Sequence, residues 1–237
     1  MDQKEGIVTR VVDYRDNTKI ITVMTNTGSQ GLIVKGATNL RSHTFSYTQE
    51  LIKISFAAKK QYLSSGKLID SYRNIKLDFN KLSSGLRILE IINALGDHIN
   101  DYSTFYEFTD QILKNMNELI DHEKLEIIFR IKALFLLGLS PVFFKCVECG
   151  TIDNLSGFSL FDGGMKCNDH LTNEDYIYNH DIVSQLRILY AVKLQELITK
   201  IDEVECTYLG CDNFLNLFYD HFLGFKSKVK KITGLYV

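Results

Sequence analysis

The sequence predicts an α+β fold: a small five-stranded closed barrel, then a helical domain into which a pair of cysteine-bearing turns is inserted. Three observations lead there. Short runs rich in β-branched residues, parted by turn residues, fill Glu5 to Tyr72. From Leu77 onward the apolar residues recur with the period of helices. The helical part is then interrupted by Cys146-Val147-Glu148-Cys149 and Cys167-Asn168-Asp169-His170, two ligand pairs of matching spacing.

The strands follow in order. Ile7, Val8, Val11 and Val12 open the first, and Lys19 to Thr25 forms the second. Asn26-Thr27-Gly28 reads as a turn into a third strand, Gly31 to Lys35, which ends at Gly36. A polar loop, Ala37 to Gln49, precedes a fourth strand from Glu50 to Ala57, and Tyr62 to Tyr72 supplies the fifth. Five short strands suit a closed barrel of OB-fold type, because closure removes the exposed edges.

Leu82, Leu86, Leu89, Ile91, Ile92 and Leu95 mark an amphipathic helix ending near Gly96. A second stripe runs from Phe105 and Phe108 through Ile112, Leu113 and Met116 to Leu119, with Ser103 as its N-cap. Leu125 to Leu139 is apolar nearly all round and reads as a buried central helix, stopped by Gly138 and Pro141. After the cysteine turns, Asp181 to Ile201 forms a stripe through Ile182, Leu186, Leu189, Lys193 and Leu197. Asn213 to Leu223 forms a last helix capped by Gly224, before a basic tail from Lys226 to Lys231. The domains expected are therefore residues 1–78, the barrel, and 79–237, the helical part, with the insertion spanning 142–175.

Two thiolates at i and i+3 on a tight turn grip one tetrahedral ion, and two such turns complete the four ligands that zinc prefers. Gly150 suits the first turn, because glycine takes the positive φ that a knuckle needs, and Gly163-Gly164 lets the chain fold back. The reading is one structural Zn²⁺ per chain on Cys146, Cys149, Cys167 and His170, with no position left open for water or substrate. Cys206 and Cys211 remain as packed free thiols. No cysteine-dense framework or signal peptide points to an oxidising compartment. The longest apolar run, Ala133 to Phe144, falls short of the ~20 residues that span a bilayer, so a soluble, cytoplasmic protein is expected.

The formal net charge is −2, which does not mark a general polyanion binder. Its distribution does: residues 1–80 hold twelve Lys and Arg against seven Asp and Glu, and the remainder fifteen against twenty-two. The barrel thus faces something anionic. No Walker, Rossmann, His-Glu-x-x-His or Gly-x-Ser-x-Gly segment is present, and the histidines that follow aspartates, such as His98 and His122, read as polar helix steps. The residues therefore point away from an enzyme.

The order of segments is similar to that of the RecO family of bacterial recombination mediators. Glu5-Gly6-Ile7-Val8 with Asp13-Tyr14 and Thr18-Lys19 resembles the family's first hairpin, and Lys35-Gly36-Ala37 the turn into its loop. Phe129 to Leu134, Leu136-Leu137-Gly138 and Pro141 resemble the helix entering the Cys-x-x-Cys-Gly knuckle. Phe158, Gly163-Gly164 and Cys167 match the return limb, and Leu223-Gly224 with Lys226-Ser227 the C-terminal end. Three departures stand out: His170 where relatives usually have cysteine, a single basic residue, Arg41, in the loop after Lys35, and a more compact terminal Lys-Ser segment.

The resemblance implies a non-enzymatic, nucleoid-associated protein of recombinational repair. It would bind single- and double-stranded DNA, anneal complementary strands, and act with RecR to help RecA load onto strands coated by SSB. Arg10, Arg15, Lys19, Lys35, Arg41, Lys53, Lys59 and Lys60 are the candidates for phosphate contact, and Tyr14, Phe45, Tyr47 and Phe56 for base stacking. Lys132, Lys226 and Lys228 are candidates for receiving the acidic C-terminal tail of SSB. Two readings of other classes stand beside this one: a zinc-ribbon protein-interaction or transcription-associated module, and a metal-dependent nuclease or hydrolase.

Overall fold

Strands β1 (Lys4–Arg15), β2 (Thr18–Thr25), β3 (Gly28–Lys35), β4 (Ile52–Lys59) and β5 (Tyr62–Asp70) form the first part of the chain. The computed structural model describes residues 3–118, 121–173, 175, 180–193, 196, 199 and 201–229. The strands close in the order β1-β2-β3-β5-β4, the OB-type barrel that the sequence predicts. All neighbours are antiparallel except β3 and β5, which meet in parallel at Ile33 and Tyr62, where the Ile33 N–H donates to the Gln61 carbonyl at 2.7 Å.

Alternation decides what fills the barrel. Val8, Ile21, Val23, Leu32, Val34, Ile52, Ile54 and Phe56 point inward from their strands, and Tyr47, from a 3-10 helix over His43–Tyr47, joins them. At Gly6 an added Cβ would lie 2.4 Å from Val23 Cγ1 and 2.6 Å from the Met24 carbonyl, so β1 and β2 approach too closely for any side chain. Burying apolar surface at about 25 cal/mol per Å² is the main force holding this core.

The described residues divide into two compact units, one of residues 3–118 with Val229 and one from Asp121 to Lys228. The first contains more than the strands. After the short α1 (Arg73–Lys76), α2 (Phe79–Leu95) and α3 (Tyr102–Asn117) lie against the barrel. Thr9 Oγ1 donates to the Asn93 side chain at 2.7 Å, and the Asn93 amide returns a bond to the Thr9 carbonyl at 2.8 Å. Helix α3 is capped by Asp101 rather than Ser103, its carboxylate accepting from the Thr104 N–H at 3.0 Å. A carboxylate two residues earlier, at the N-cap, meets the free N–H groups better than a hydroxyl already inside the helix. The expected end of this stripe, Leu119, lies outside the described residues.

The second unit is built on α4 (His122–Leu136), whose Leu125, Ile127, Ile128, Phe129, Ile131 and Leu134 are all fully buried. Gly138 ends it with φ +72° and an N–H bond to the Phe135 carbonyl. A hairpin, β6 (Leu155–Ser159) and β7 (Gly164–Cys167), follows. Then come α5 (His180–Ala191) and α6 (Tyr208–Leu223), which starts five residues before its predicted Asn213 and is capped by Gly224 at φ +60°. The long stripe expected over Asp181 to Ile201 leaves the helix after Ala191; Leu197 lies outside the described residues. Phe158 packs edge-on to Phe214 at 5.0 Å and beside Phe143 at 5.9 Å, tying the hairpin to the helices. Arg130, 3% exposed, is held by Asp212 at 2.5 Å and Asn216 at 2.8 Å, while Tyr219 donates to its carbonyl.

Candidate metal centre and nucleic-acid face

Cys146 and Cys149 sit on a tight turn whose Gly150 N–H bonds the Cys146 carbonyl at 2.9 Å, with Gly150 at φ +76° as a knuckle requires. Cys167 ends β7, and His170 follows on a turn closed by its own N–H to the Cys167 carbonyl at 3.1 Å. The two turns are brought together by the hairpin: the Val147 N–H donates to the Met165 carbonyl at 2.9 Å, and Met165 N–H to Val142 at 2.8 Å. A Cβ at Gly164 would meet Val147 Cγ1 at 2.4 Å and Val142 Cβ at 2.7 Å, so only glycine lets the limbs close.

The result is a cluster that could hold a metal ion, with all four donor atoms of Cys146, Cys149, Cys167 and His170 within 4.8 Å of one another. Cys149 Sγ lies 3.9 Å from Cys167 Sγ, and His170 Nδ1 lies 3.2 Å from Cys167 Sγ and 3.9 Å from Cys146 Sγ. Ligands about 2.3 Å from a tetrahedral ion stand roughly 3.8 Å apart, so the spacing fits a cation of that kind. The sulfurs are free thiols, not bridged. Burial would push the Cys146 thiol up, but N–H groups of Cys149, Cys167 and Glu148 outweigh it and bring it down to about 6. At Cys149 the Thr151 N–H acts downward, yet burial and the sulfurs of Cys146 and Cys167 raise the thiol overall. A second thiolate therefore forms reluctantly beside the first unless a cation lies among them.

The cluster is braced from outside its donors. Lys166, beside Cys167, is buried and reaches Asp162 at 2.8 Å, Asp175 at 3.1 Å and Glu148 at 3.7 Å. Burial pushes the Asp175 carboxyl up, but the Thr172 N–H and the Ser159 and Lys166 side chains prevail and draw it down to about 2. Among the described residues this is the one group of metal-capable side chains. Cys206 and Cys211 stay apart from it; Cys211 is buried, with Sγ 3.7 Å from Gln185 Oε1.

The basic candidates of the barrel fall into three sets. Arg15, Lys35, Lys59 and Lys60 are exposed at one end, since Arg15 pairs with Thr18, Thr18 with Lys35, and Lys59 with Tyr62. Lys19 is half-buried there, 4.0 Å from Asp13 and over the Phe45 ring at 5.7 Å. Arg10, on β1, and Arg41, in the loop after β3, are also exposed. Lys53 does not join them: it is buried, and its ammonium lies 2.9 Å from Asp110 and 3.6 Å from Glu5. Its strand runs beneath α3, so both faces of β4 are covered there.

The aromatic candidates divide the same way. Tyr14 is exposed and Phe45 half-buried, but Tyr47 and Phe56 are core residues, 6% and 1% exposed. Tyr62, absent from the sequence-based candidates, is 43% exposed with Lys35 Nζ 5.5 Å from its ring centre. Its signal was its position, the first strand residue after Lys59-Lys60-Gln61. In the second unit Lys132 is bound to the carbonyls of Tyr190 and Val192, at the end of α5, rather than turned to solvent. Lys226 is exposed, 3.0 Å from Asp220, and Lys228 is exposed nearby.

Comparison with known proteins bears on what this arrangement is for. The family model described as Recombination protein O N terminal matches residues 1–72, and that described as Recombination protein O C terminal matches residues 76–230. The chain belongs to the RecO family. Relatives similar to it are named DNA repair protein RecO. That of Halalkalibacterium halodurans is 28% identical over 96% of this chain and 92% of its own. That of Bacillus subtilis is 28% identical over 96% and 91%, and that of Listeria monocytogenes 27% over 98% and 93%. A RecO protein of this kind combines a closed barrel with a helical region and a Cys3His cluster. No described helix is long and apolar enough to cross a membrane.

Proposed function

We propose that this chain acts in recombinational DNA repair as a non-enzymatic, cytoplasmic DNA-binding protein. It binds single- and double-stranded DNA through the barrel of residues 1–78, anneals complementary strands, and acts with RecR to help RecA load onto SSB-coated strands. The observation that carries this reading is the basic end of the barrel, with Arg15, Lys35, Lys59 and Lys60 exposed, in a chain of the RecO family. Those side chains follow a phosphate backbone and release its counterions, which needs neither a nucleophile nor an open metal position. Arg10 and Arg41 extend the same contact, with Lys19 at its edge; Lys53 is left out of it.

The metal of the Cys146, Cys149, Cys167 and His170 cluster is read as one zinc ion per chain. Bound zinc would cross-link the two knuckles of the 142–175 insertion, a scaffolding task for which four protein donors suffice. Lys226 and Lys228 remain the candidates for the acidic tail of SSB, while Lys132 already neutralises a helix end.

The deciding experiment is titration of a labelled oligonucleotide at several salt concentrations, followed by annealing of complementary strands coated with SSB. Log K should fall with log salt by about 0.7 for every phosphate contacted on a single strand. Absence of binding in dilute buffer would favour a protein-interaction module, and cleavage of the DNA with Mg²⁺ or Mn²⁺ a nuclease.

A further inference from the structure

Apart from the metal cluster, the second unit brings two further thiols together. Helix α6 begins at Tyr208 with Thr207 as its cap, and the Cys211 N–H bonds the Thr207 carbonyl at 3.0 Å, closing the first turn. Cys206 directly precedes that cap. Side chains at these two positions meet across a helix start, ordinarily as an apolar staple. Here the side chains of Cys206 and Cys211 lie against each other, and both are free thiols.

The two sulfurs are not equivalent. Cys206 is half-buried and within reach of a small molecule, whereas Cys211 is fully buried. Cys211 Sγ lies 3.7 Å from Gln185 Oε1, which also accepts from the Thr207 N–H at 2.7 Å. The Thr207 side chain does not cap α6, so Gln185, on α5, takes that place. Contact with Cys211 lowers the Cys206 thiol and Lys124 helps, outweighing burial and the charges of Asp121 and Glu123. Contact with Cys206 raises the Cys211 thiol, and burial and Asp212 add to it. One sulfur thus ionises readily while its neighbour keeps a proton, as an attacking and a resolving thiol require.

We propose that Cys206 and Cys211 form a reversible oxidation site, which takes hydrogen peroxide as its oxidant and closes an intramolecular disulfide across the start of α6. The Cys206 thiolate attacks one peroxide oxygen: an S–O bond forms, the O–O bond breaks, and the departing hydroxide takes up a proton. The Cys211 sulfur then attacks the sulfenic sulfur. The S–S bond forms, the S–O bond breaks, and water leaves with the Cys211 proton. Two thiols and one peroxide give one disulfide and two waters, the sulfurs losing the two electrons that oxygen gains. A small thiol reverses the step by exchange. Disulfides in reducing compartments are ordinarily of this transient, redox-sensing kind. Bonding the sulfurs draws Cys211 Sγ away from Gln185, so oxidation is felt at the cap of α6.

The test treats the full-length protein, supplied with zinc, with graded hydrogen peroxide, then denatures it in chelator and alkylating reagent before tryptic digestion. Cleavage after Lys200 and Lys226 releases one peptide that holds Cys206 and Cys211 and none of the metal-cluster residues. That peptide should lose both alkylation sites and two hydrogens in mass while Cys146, Cys149 and Cys167 are still alkylated, and dithiothreitol should restore it. In Cys211→Ser a sulfenic acid should persist at Cys206 and be trapped by dimedone. In Cys206→Ser the remaining Cys211 should stay alkylatable and take no dimedone. Should the buried Cys211→Ser variant fail to fold, the wild-type peptide and Cys206→Ser still decide the matter. A peptide that keeps both alkylation sites until the metal-cluster cysteines are themselves oxidised would overturn the proposal. So would a dimedone adduct on Cys211, or a disulfide joining two chains through Cys206. None of these readouts depends on DNA binding.

Discussion

The ammonium of Lys53 lies 2.9 Å from the carboxylate of Asp110, and Lys53 is only 7% exposed. The same carboxylate receives Lys114 at 2.7 Å and the Tyr72 hydroxyl at 3.1 Å, so strand β4 and helix α3 are joined through one buried charge. Removing one partner leaves the other charged and dry. Asp110→Ala should therefore cost about 3–5 kcal/mol in urea unfolding, and the double change Lys53→Met with Asp110→Leu should recover most of it. Burial alone would raise the Asp110 carboxyl, but Lys114 and Lys53 outweigh it and hold it below the usual carboxylate range. Its stabilisation is thus complete above the unfolded value, about 3.9, and is lost as pH falls through the lower native one. Urea midpoints that do not fall in that acid window would contradict this account.

Metal removal should act locally first. Structural zinc contributes about 10–16 kcal/mol in small knuckle peptides. Chelation, or Cys149→Ser, should open the 142–175 lobe to protease while the β-signal of the barrel persists. Elemental analysis should find about one zinc per chain. Because the Cys146 thiol sits at about 6 without metal, apparent metal affinity should decline more steeply with acidification below that pH than above it. A lobe that resists protease equally with and without metal would refute the scaffolding role.

Single neutralisations of the exposed cations give a third check. Lys35→Gln or Lys59→Gln should each reduce the salt slope of single-strand binding by about 0.7, one phosphate's share. Lys53→Gln should leave the slope unchanged despite its predicted place among the contacts. An altered slope for Lys53→Gln would return that residue to the interface.

Lys132 closes the end of α5 by donating to the Tyr190 and Val192 carbonyls. Burial lowers its pKa. Lys132→Met should destabilise the second unit by about 1.5–3 kcal/mol, the worth of hydrogen bonds to a charged donor. Binding of an acidic SSB-tail peptide, measured on the folded variant by anisotropy, should not change. A selective loss of peptide binding at unchanged stability would show the reverse assignment to be right.

The barrel and the metal cluster were legible because each rests on local spacing. Alternation in Lys19 to Thr25 turns Ile21 and Val23 inward, and ligand pairs three residues apart define each knuckle. Phe56, expected as a stacking residue, obeys the same rule instead: it shares the parity of Ile52 and Ile54 and belongs to the core. Lys53 was not, because its burial depends on α3, far along the chain. Its warning was the unbroken apolar run on both sides, Leu51-Ile52 and Ile54. Lys132 is hidden for the same reason: its partners lie 58 and 60 residues away.

One join in the barrel is the weakest. Between β3 and β5 the sheet closes through the parallel meeting of Ile33 and Tyr62, with the Ile33 amide as its latch. Amide exchange at Ile33 would therefore report the opening of that seam directly.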